Sequence, residues 1–153
     1  MIATLIPSIS LDAFCRTVFE EAPDAIIYAD VGGMIRAWNH GAERIFGFSK
    51  MEAMGRSLDM IIPENLRKRH WDSYAQTMRT GKTRYGTGDV LAVPAIRKDG
   101  SRVSIEFSLL LFRDREGRIL GVAAILRDVS KRFEEIKALR NEVAALRKRL
   151  RLE

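Results

Sequence analysis

Cysteine is almost absent from this chain of 153 residues, because Cys15 is the only one. A single cysteine excludes a disulfide within the chain and fits a reducing cytoplasm, which is the predicted location. Cys15 falls in a helical pattern with Leu11, Phe14 and Val18. This spacing predicts a half-buried, small apolar side chain rather than a reactive thiol.

Long hydrophobic runs are missing too. No apolar segment approaches the roughly 18 residues that a membrane-spanning helix needs, so no membrane partner is predicted. Residues 1–7 are apolar, but they are few and no basic region precedes them, which argues against a secretory signal peptide. The hydrophobic fraction of 46% is ordinary for a soluble core, and the length predicts one domain with an appendage.

Catalytic signatures are also lacking. The chain contains two histidines and no His/Cys cluster with metal-ligand spacing, no phosphate-binding loop and no nucleophile motif. Gly86 and Gly88 are too few and too close to form a nucleotide-binding fingerprint. The sequence therefore predicts a protein that is not an enzyme.

Positive charge is present, but it is concentrated at the C-terminal end. The net charge is +6, and residues 131–153 carry eight basic and four acidic side chains. Nucleic-acid binding requires a basic surface that is presented as such. Because acidic residues alternate with basic ones in this segment, no nucleic-acid partner is predicted.

The first half of the chain reads as a hairpin followed by helices. Ser10 is a good cap for a helix over about residues 11–21, which Pro23 ends. Two strand patterns, residues 24–30 and 34–38, flank the turn signal Gly32-Gly33. Asn39 and Ser49 then cap two short helices that end at Gly47 and Gly55, and Pro63 opens a longer helix over residues 64–79.

Three strand candidates follow. Residues 84–97 are interrupted by glycines and by Pro94, whereas residues 102–113 alternate cleanly between apolar and polar side chains. Residues 119–126 form the last strand pattern. Helices inserted into an antiparallel sheet predict an α+β domain.

The period changes to seven after residue 128. The first apolar heptad position is taken by Val129, Ile136, Val143 and Leu150, and the second by Leu139 and Leu146, with Arg132 in its first occurrence. β-Branched residues at the first position with leucine at the second favour a parallel two-stranded coiled coil. Glu135 and Glu142 stand five residues before Arg140 and Arg147, the spacing of interhelical ion pairs. The alternative is a single amphipathic helix packed against the domain.

Several separated motifs resemble the PAS sensory family. They are Asp24-Ala25-Ile26, Asp30, Gly33, Ile35, Trp38-Asn39, Ala42-Glu43, Phe46-Gly47, Arg97-Lys98-Asp99-Gly100 and Ile125 to Ser130. The resemblance implies a five-stranded antiparallel sheet with short helices on one face, closed over a small-ligand cavity. It divides the chain into an N-terminal helical cap (1–22), a PAS sensory domain (23–128) and a coiled-coil signalling helix (129–153).

The helix after Pro63 is similar to that of heme-binding oxygen-sensor PAS domains, in which a histidine seven residues after a proline binds the iron. His70 keeps this spacing, although Trp71 is an additional residue before Asp72-Ser73-Tyr74. The resemblance implies a b-type heme site for a diatomic gas such as oxygen, with His70 as the iron ligand and Tyr74, Ile62 and Leu66 around it. A lone histidine on a partly apolar helix face is also common as a structural residue, so both interpretations stay open.

The distal side of such a site departs from the family. Thr87-Gly88-Asp89-Val90 stand where an Arg or Met is expected, and an ionised Asp89 cannot donate a hydrogen bond to a bound gas. Arg84 and Tyr85 are the candidate replacements. The reactive cysteine of flavin-based light sensors is missing, which sets that subclass aside.

Two functional hypotheses follow. In the first, a ligand shifts the sheet, and Asp128 relays the change to a homodimeric coiled coil formed by residues 129–153. In the second, the chain is a cofactor-free dimerisation module. In either case a downstream kinase or transcription regulator is the expected partner.

Overall fold

A computed structural model describes residues 8–83 and 91–150. The helices are α1 (Leu11–Glu21), α2 (His40–Phe46), α3 (Lys50–Ala53), α4 (Glu64–Thr80) and α5 (Ser130–Leu150), with a 3-10 helix at Leu58–Ile61. The strands are β1 (Ala25–Asp30), β2 (Ile35–Trp38), β3 (Leu91–Ile96), β4 (Arg102–Arg113) and β5 (Ile119–Asp128).

The strands form one antiparallel sheet in the order β2-β1-β5-β4-β3. The first and last strands of the chain are therefore neighbours, and Ala25 pairs with Leu126. All helices except α1 and α5 belong to the segment between β2 and β3. The predicted α+β class and five-stranded antiparallel sheet are confirmed.

The alternation predicted for β4 sorts its side chains between two faces. Val103 and Ile105 are buried in the same core as Ala25, Ile27 and Ala29 of β1, although β5 lies between the two strands in the sheet. β3 pairs with β4 through Pro94 as well as its neighbours, so the prediction that Pro94 interrupts this strand is wrong. A proline fits there because β3 is an edge strand, where a missing N–H need not cost a ladder hydrogen bond. Residues 84–90 of the predicted strand lie outside the described residues.

The core lies between the concave face and the short helices. Its largest fully buried side chains are those of Trp38, Phe46, Ile35 and Val103. The indole N–H of Trp38 donates to the carbonyl of Phe48 at 3.1 Å, so its polar atom is satisfied in the interior. Gly47 ends α2 in the left-handed conformation, with φ of 78°, as a glycine at this position permits.

Asn39 joins four parts of the chain at one buried point. Its Oδ1 accepts from the N–H groups of Ile26 and Ala42, at 2.8 and 2.9 Å. Its Nδ2 donates to the carbonyls of Phe19 and Asp24, at 2.9 and 3.0 Å. The predicted cap of α2 is confirmed, and the same amide also holds α1 and β1 in position.

The two terminal helices expose their apolar faces. Neither α1 nor α5 contains a buried residue, and Leu11, Phe14 and Val18 are 48–76% exposed. Cys15 is exposed as well, so the prediction of a half-buried thiol is wrong. The reason is that the apolar face to which it belongs is itself uncovered. Within residues 8–83 and 91–150, no helix combines the length and apolar character of a membrane span.

Candidate functional site

One face of α4 carries the residues that were predicted to bind a cofactor. Leu66, His70 and Tyr74 recur every fourth residue; Tyr74 is buried and the other two are half-buried. Met78, which was not among the predicted residues, continues the same spacing and is half-buried. Ile62 precedes the helix and packs against the same core. The structure thus brings the predicted set together on the inner side of the domain.

The imidazole of His70 lies in an aromatic environment. Its ring centroid is 4.9 Å from that of Trp71, edge to face, and 5.7 Å from that of Tyr74. Within the described part of the chain, His70 Nδ1 is the one buried side-chain nitrogen or oxygen that lacks a hydrogen-bond partner. Burial lowers the pKa of His70, and the nearby Asp59 charge only partly opposes this. His70 is therefore a neutral base near pH 7.

The neighbours of His70 are held by hydrogen bonds. The hydroxyl of Tyr74 donates to the carbonyl of Asp30 at 2.5 Å, and its burial raises the pKa of the phenol. The indole N–H of Trp71 donates to Asp59 Oδ1 at 2.7 Å. The Trp71 ring lies so close to Gly33 that a Cβ there would come within 2.2 Å of it. These contacts fasten α4 to the β1–β2 turn and to the 3-10 helix without using the His70 side chain.

Opposite these helices, the concave face of β4 is incompletely covered. Phe107, Leu109 and Leu111 point to the same face as the buried Val103 and Ile105, but they are only half-buried. All three pack against the core cluster that also includes Tyr74. Apolar side chains with a few polar groups among them are what small-ligand sites in proteins use. Arg84, Tyr85 and residues 87–90, predicted for the distal side, lie outside the described residues.

A second set of polar contacts joins the sheet to α5. Asp128 Oδ2 accepts from Arg97 Nη2 at 2.7 Å, and Asp128 Oδ1 accepts from the N–H of Ser130 at 2.9 Å. Arg97 also donates through Nε to the carbonyl of Ile45 at 2.9 Å. One carboxylate thus connects the end of α2, the turn after β3 and the first turn of α5.

The charge of Asp128 is secured by these contacts. Partial burial acts to raise the pKa of Asp128, but the hydrogen bonds from Ser130 and the charge of Arg97 outweigh it and hold the pKa below its ordinary value. The backbone strengthens the same junction: the N–H of Val129 donates to the carbonyl of Ser104 at 2.8 Å. In return, the N–H of Ser104 donates to Ser130 Oγ at 3.0 Å.

Beyond the junction, α5 presents an unpaired apolar stripe. Its members are 42–73% exposed and are Ile136, Leu139, Val143, Leu146 and Leu150. A contiguous exposed apolar stripe is typical of an association surface. Contact between α5 and the domain is confined to the first turn of the helix, where Arg132 meets Glu106, and residues 133–150 are all exposed.

Sequence reasoning missed the partners of the predicted residues. Arg97 was placed only in a turn motif, and its ion pair with Asp128 spans 31 positions. Asp59 and Trp71 were not assigned a role either, since their contact joins two elements that have no periodic relation. No local signal marks such pairs. The other histidine of the chain, His40, is exposed, and the described residues contain no group of three metal-ligating side chains.

Comparisons with known proteins agree with this architecture. A family described as the PAS fold matches residues 19–134. Sensor protein FixL of Bradyrhizobium diazoefficiens is 35% identical over 94 residues, which are 61% of this chain and 18% of FixL. Oxygen sensor protein DosP of Escherichia coli K12 is 28% identical over 109 residues, which are 71% of this chain and 13% of DosP.

Among solved structures, the PAS domain of a protein from Colwellia psychrerythraea superimposes with a TM-score of 0.69 at 22% identity. The match covers 80% of this chain and 99% of that domain. At this identity the likeness concerns the fold alone. The chain spans less than a fifth of the length of FixL or DosP.

Proposed function

The chain belongs to the PAS family, and from this premise we propose that it is a sensory module that relays a ligand signal from its domain to a dimeric α5. PAS domains commonly dimerise and relay signals to kinase or regulator partners. The observation that carries the proposal is the double attachment of Asp128, which binds Arg97 of the domain and the first turn of α5 with the same carboxylate. A shift of the sheet therefore changes the orientation of α5, the two-state element that a relay requires.

For the ligand, the α4 face fits a b-type heme. His70 offers a neutral imidazole, and its buried Nδ1 has no competing partner. Ile62, Leu66 and Tyr74 add apolar contact on the same side, and a proximal histidine is the usual protein anchor of heme iron. When bound, the heme would supply a binding position for a diatomic gas such as oxygen, in keeping with the similarity to the sensors FixL and DosP.

The test of the heme site is an absorption spectrum. Purified chain is mixed with hemin, and the Soret band is titrated for the wild type, His70→Ala and His40→Ala. His40 is exposed, so its removal controls for surface histidine binding. We expect a saturable Soret band in the wild type and in the His40 variant, and a weakened or shifted band without His70. Equal bands in all three proteins would rule out His70 as the iron ligand.

The test of the relay surface is the oligomeric state. We expect a dimer at micromolar concentration by light scattering, and a monomer after Leu139→Glu, because a charge in an apolar seam is desolvated without a partner. Asn141→Glu adds the same charge at an outward position of the heptad and serves as the control. A wild type that stays monomeric with and without ligand would refute the relay.

A second candidate function is a cofactor-free dimerisation module in a kinase or transcription regulator system. It is favoured by one observation: the His70 ring packs on the rings of Trp71 and Tyr74, which is how a structural aromatic residue is held. A chain that refuses hemin but forms the α5 dimer would select this alternative.

A further inference from the structure

We propose that Glu106 on β4 holds Arg132 out of the dimer seam, so that contact with a second copy of the chain begins at Ile136 and its strength depends on this ion pair. The inference rests on the proposed dimer of α5. Glu106 and Arg132 would thus set the strength of dimerisation, and neither side chain belongs to the ligand site or to the Asp128 junction.

The first heptad of α5 is occupied by the domain itself. Val129, at the first heptad position, is only 8% exposed, and its N–H is bonded to Ser104. Arg132, at the second position, directs its guanidinium to the Glu106 carboxylate. From Ile136 onward, the seam residues are 42% exposed or more. The apolar surface that a second helix could cover therefore starts one heptad later than the sequence repeat does.

Glu106 has few other ways to satisfy its charge. Its neighbour on β5 is Arg127, but the Arg127 guanidinium is engaged by both carboxylate oxygens of Asp24, at 3.0 and 2.7 Å. This contact raises the pKa of Arg127, and Glu106 adds to the effect. Asp24, Arg127, Glu106 and Arg132 thus form a row of alternating charges from the start of β1 to α5. Arg132 is the last member of this row, and Glu106 is its one partner among the described contacts.

A second copy is the occupant that the charges favour. Glu135 and Glu142 flank the seam on one side, and Arg140 and Arg147 follow each at five residues, which pairs acid with base across a parallel dimer. In such a dimer the two copies of residue 132 face each other near the two-fold axis. Two arginines there would repel, unless each is neutralised by the Glu106 of its own chain.

The experiment is a double-mutant cycle on the dimer dissociation constant, measured by sedimentation equilibrium at low and high salt. We expect Glu106→Gln to weaken the dimer by about threefold to tenfold at low salt, with a smaller effect at high salt because ions screen the freed arginines. Arg132→Leu should tighten the dimer by about tenfold, since leucine extends the seam by one heptad. In the Arg132→Leu background, Glu106→Gln should have no further effect.

Glu134→Gln is the matched control, because it removes one negative charge from the exposed outer side of α5. Circular dichroism establishes that each variant is folded, and Arg132→Lys, which keeps the charge, provides a second variant at this position. Its dimer should stay closer to the wild type than to Arg132→Leu. A dimer that Leu139→Glu disrupts but Glu106→Gln leaves unchanged would overturn this inference and keep the proposed function. A chain that is monomeric in every variant would overturn both.

Discussion

Two polar side chains border the same core, Asn39 after β2 and His70 on α4. They differ in how far their polar atoms are hydrogen-bonded. The Asn39 amide is completely buried and uses both acceptor and both donor positions. His70 keeps a buried ring nitrogen without a partner. Buried polar groups in proteins are nearly always hydrogen-bonded, so the exception needs an explanation.

The comparison separates a structural polar residue from a candidate binding residue. The hydrogen bonds of Asn39 all end on backbone groups, which fixes α1, β1 and α2 relative to each other. The neighbours of His70 are fixed by their own hydrogen bonds, so His70 is held in place without using its Nδ1. An unpaired Nδ1 adds nothing to the stability of the fold. Its fixed position therefore favours a role of His70 in binding.

The largest effect is expected from Asn39→Ala. The substitution leaves two N–H groups and two carbonyls without partners in the interior, and we expect unfolding to become easier by about 3 kcal/mol. Urea denaturation followed by circular dichroism measures it. Asn65→Ala, which truncates an exposed asparagine on α4, should change the free energy by less than about 0.5 kcal/mol. Equal effects at the two positions would remove the distinction made for Asn39.

A smaller loss is expected from Tyr74→Phe, which tests whether hydrogen bonding, rather than location, makes the difference. Tyr74 lies one turn from His70, but its hydroxyl is bonded to the Asp30 carbonyl. Its removal should cost about 1 kcal/mol, because the carbonyl loses a buried donor. The control is Tyr28→Phe, whose hydroxyl bonds the Leu120 carbonyl at an exposed site. If Tyr28→Phe costs as much as Tyr74→Phe, burial does not set the value of these bonds.

The smallest effect, and one of opposite sign, is expected from His70→Phe. At pH 7.5 the variant should be as stable as the wild type or slightly more stable, since no hydrogen bond is lost and a polar atom leaves the interior. Burial holds the pKa of His70 below its ordinary value of 6.5. As the pH falls through 6.5, the unfolded wild-type chain therefore takes up a proton that the folded chain does not.

The wild type should consequently lose stability relative to the phenylalanine variant from about pH 7 downward, by at most about 1.4 kcal/mol per pH unit. The loss ends once the pH lies below the folded-state pKa. Urea midpoints of both proteins between pH 7.5 and 5.5 provide the measurement. Curves that run parallel would show that His70 is not desolvated.

Much of the fold follows from local signals in the sequence. The predicted caps Ser10, Asn39 and Ser49 each accept the expected backbone N–H, because a cap requires only residues within four positions of one another. The alternation of residues 102–113 predicted β4 with the observed bounds. The strand with Pro94 was harder, since a proline is tolerated or not according to the neighbours of the strand in the sheet.

The candidate site was less predictable. The spacing of His70, Leu66 and Tyr74 identified the helix face, but nothing in the spacing shows that Nδ1 of His70 lacks a partner. The same holds for Arg132: its heptad position predicts a place in the seam, whereas the structure pairs it with Glu106 of β4. The pairing of Arg132 and the unpaired state of His70 Nδ1 both depend on which residues of distant elements lie beside them. Tertiary packing, and not local sequence, decides this. The roles of His70 and Asp128 and the division at residues 22 and 128 remain predictions.

The order of the strands has a consequence for how the chain is made. β1 and β5, which lie side by side in the middle of the sheet, are joined by pairs such as Ala25 with Leu126. A nascent chain emerging from the ribosome therefore lacks the centre of its sheet until the last strand has been synthesised. Contacts between distant parts of a chain slow folding and prolong the exposure of apolar strands. Stalled or truncated products that end before β5 are thus expected to need chaperone binding. Because α5 follows β5 in the chain, it is synthesised only after all five strands of the sheet are present.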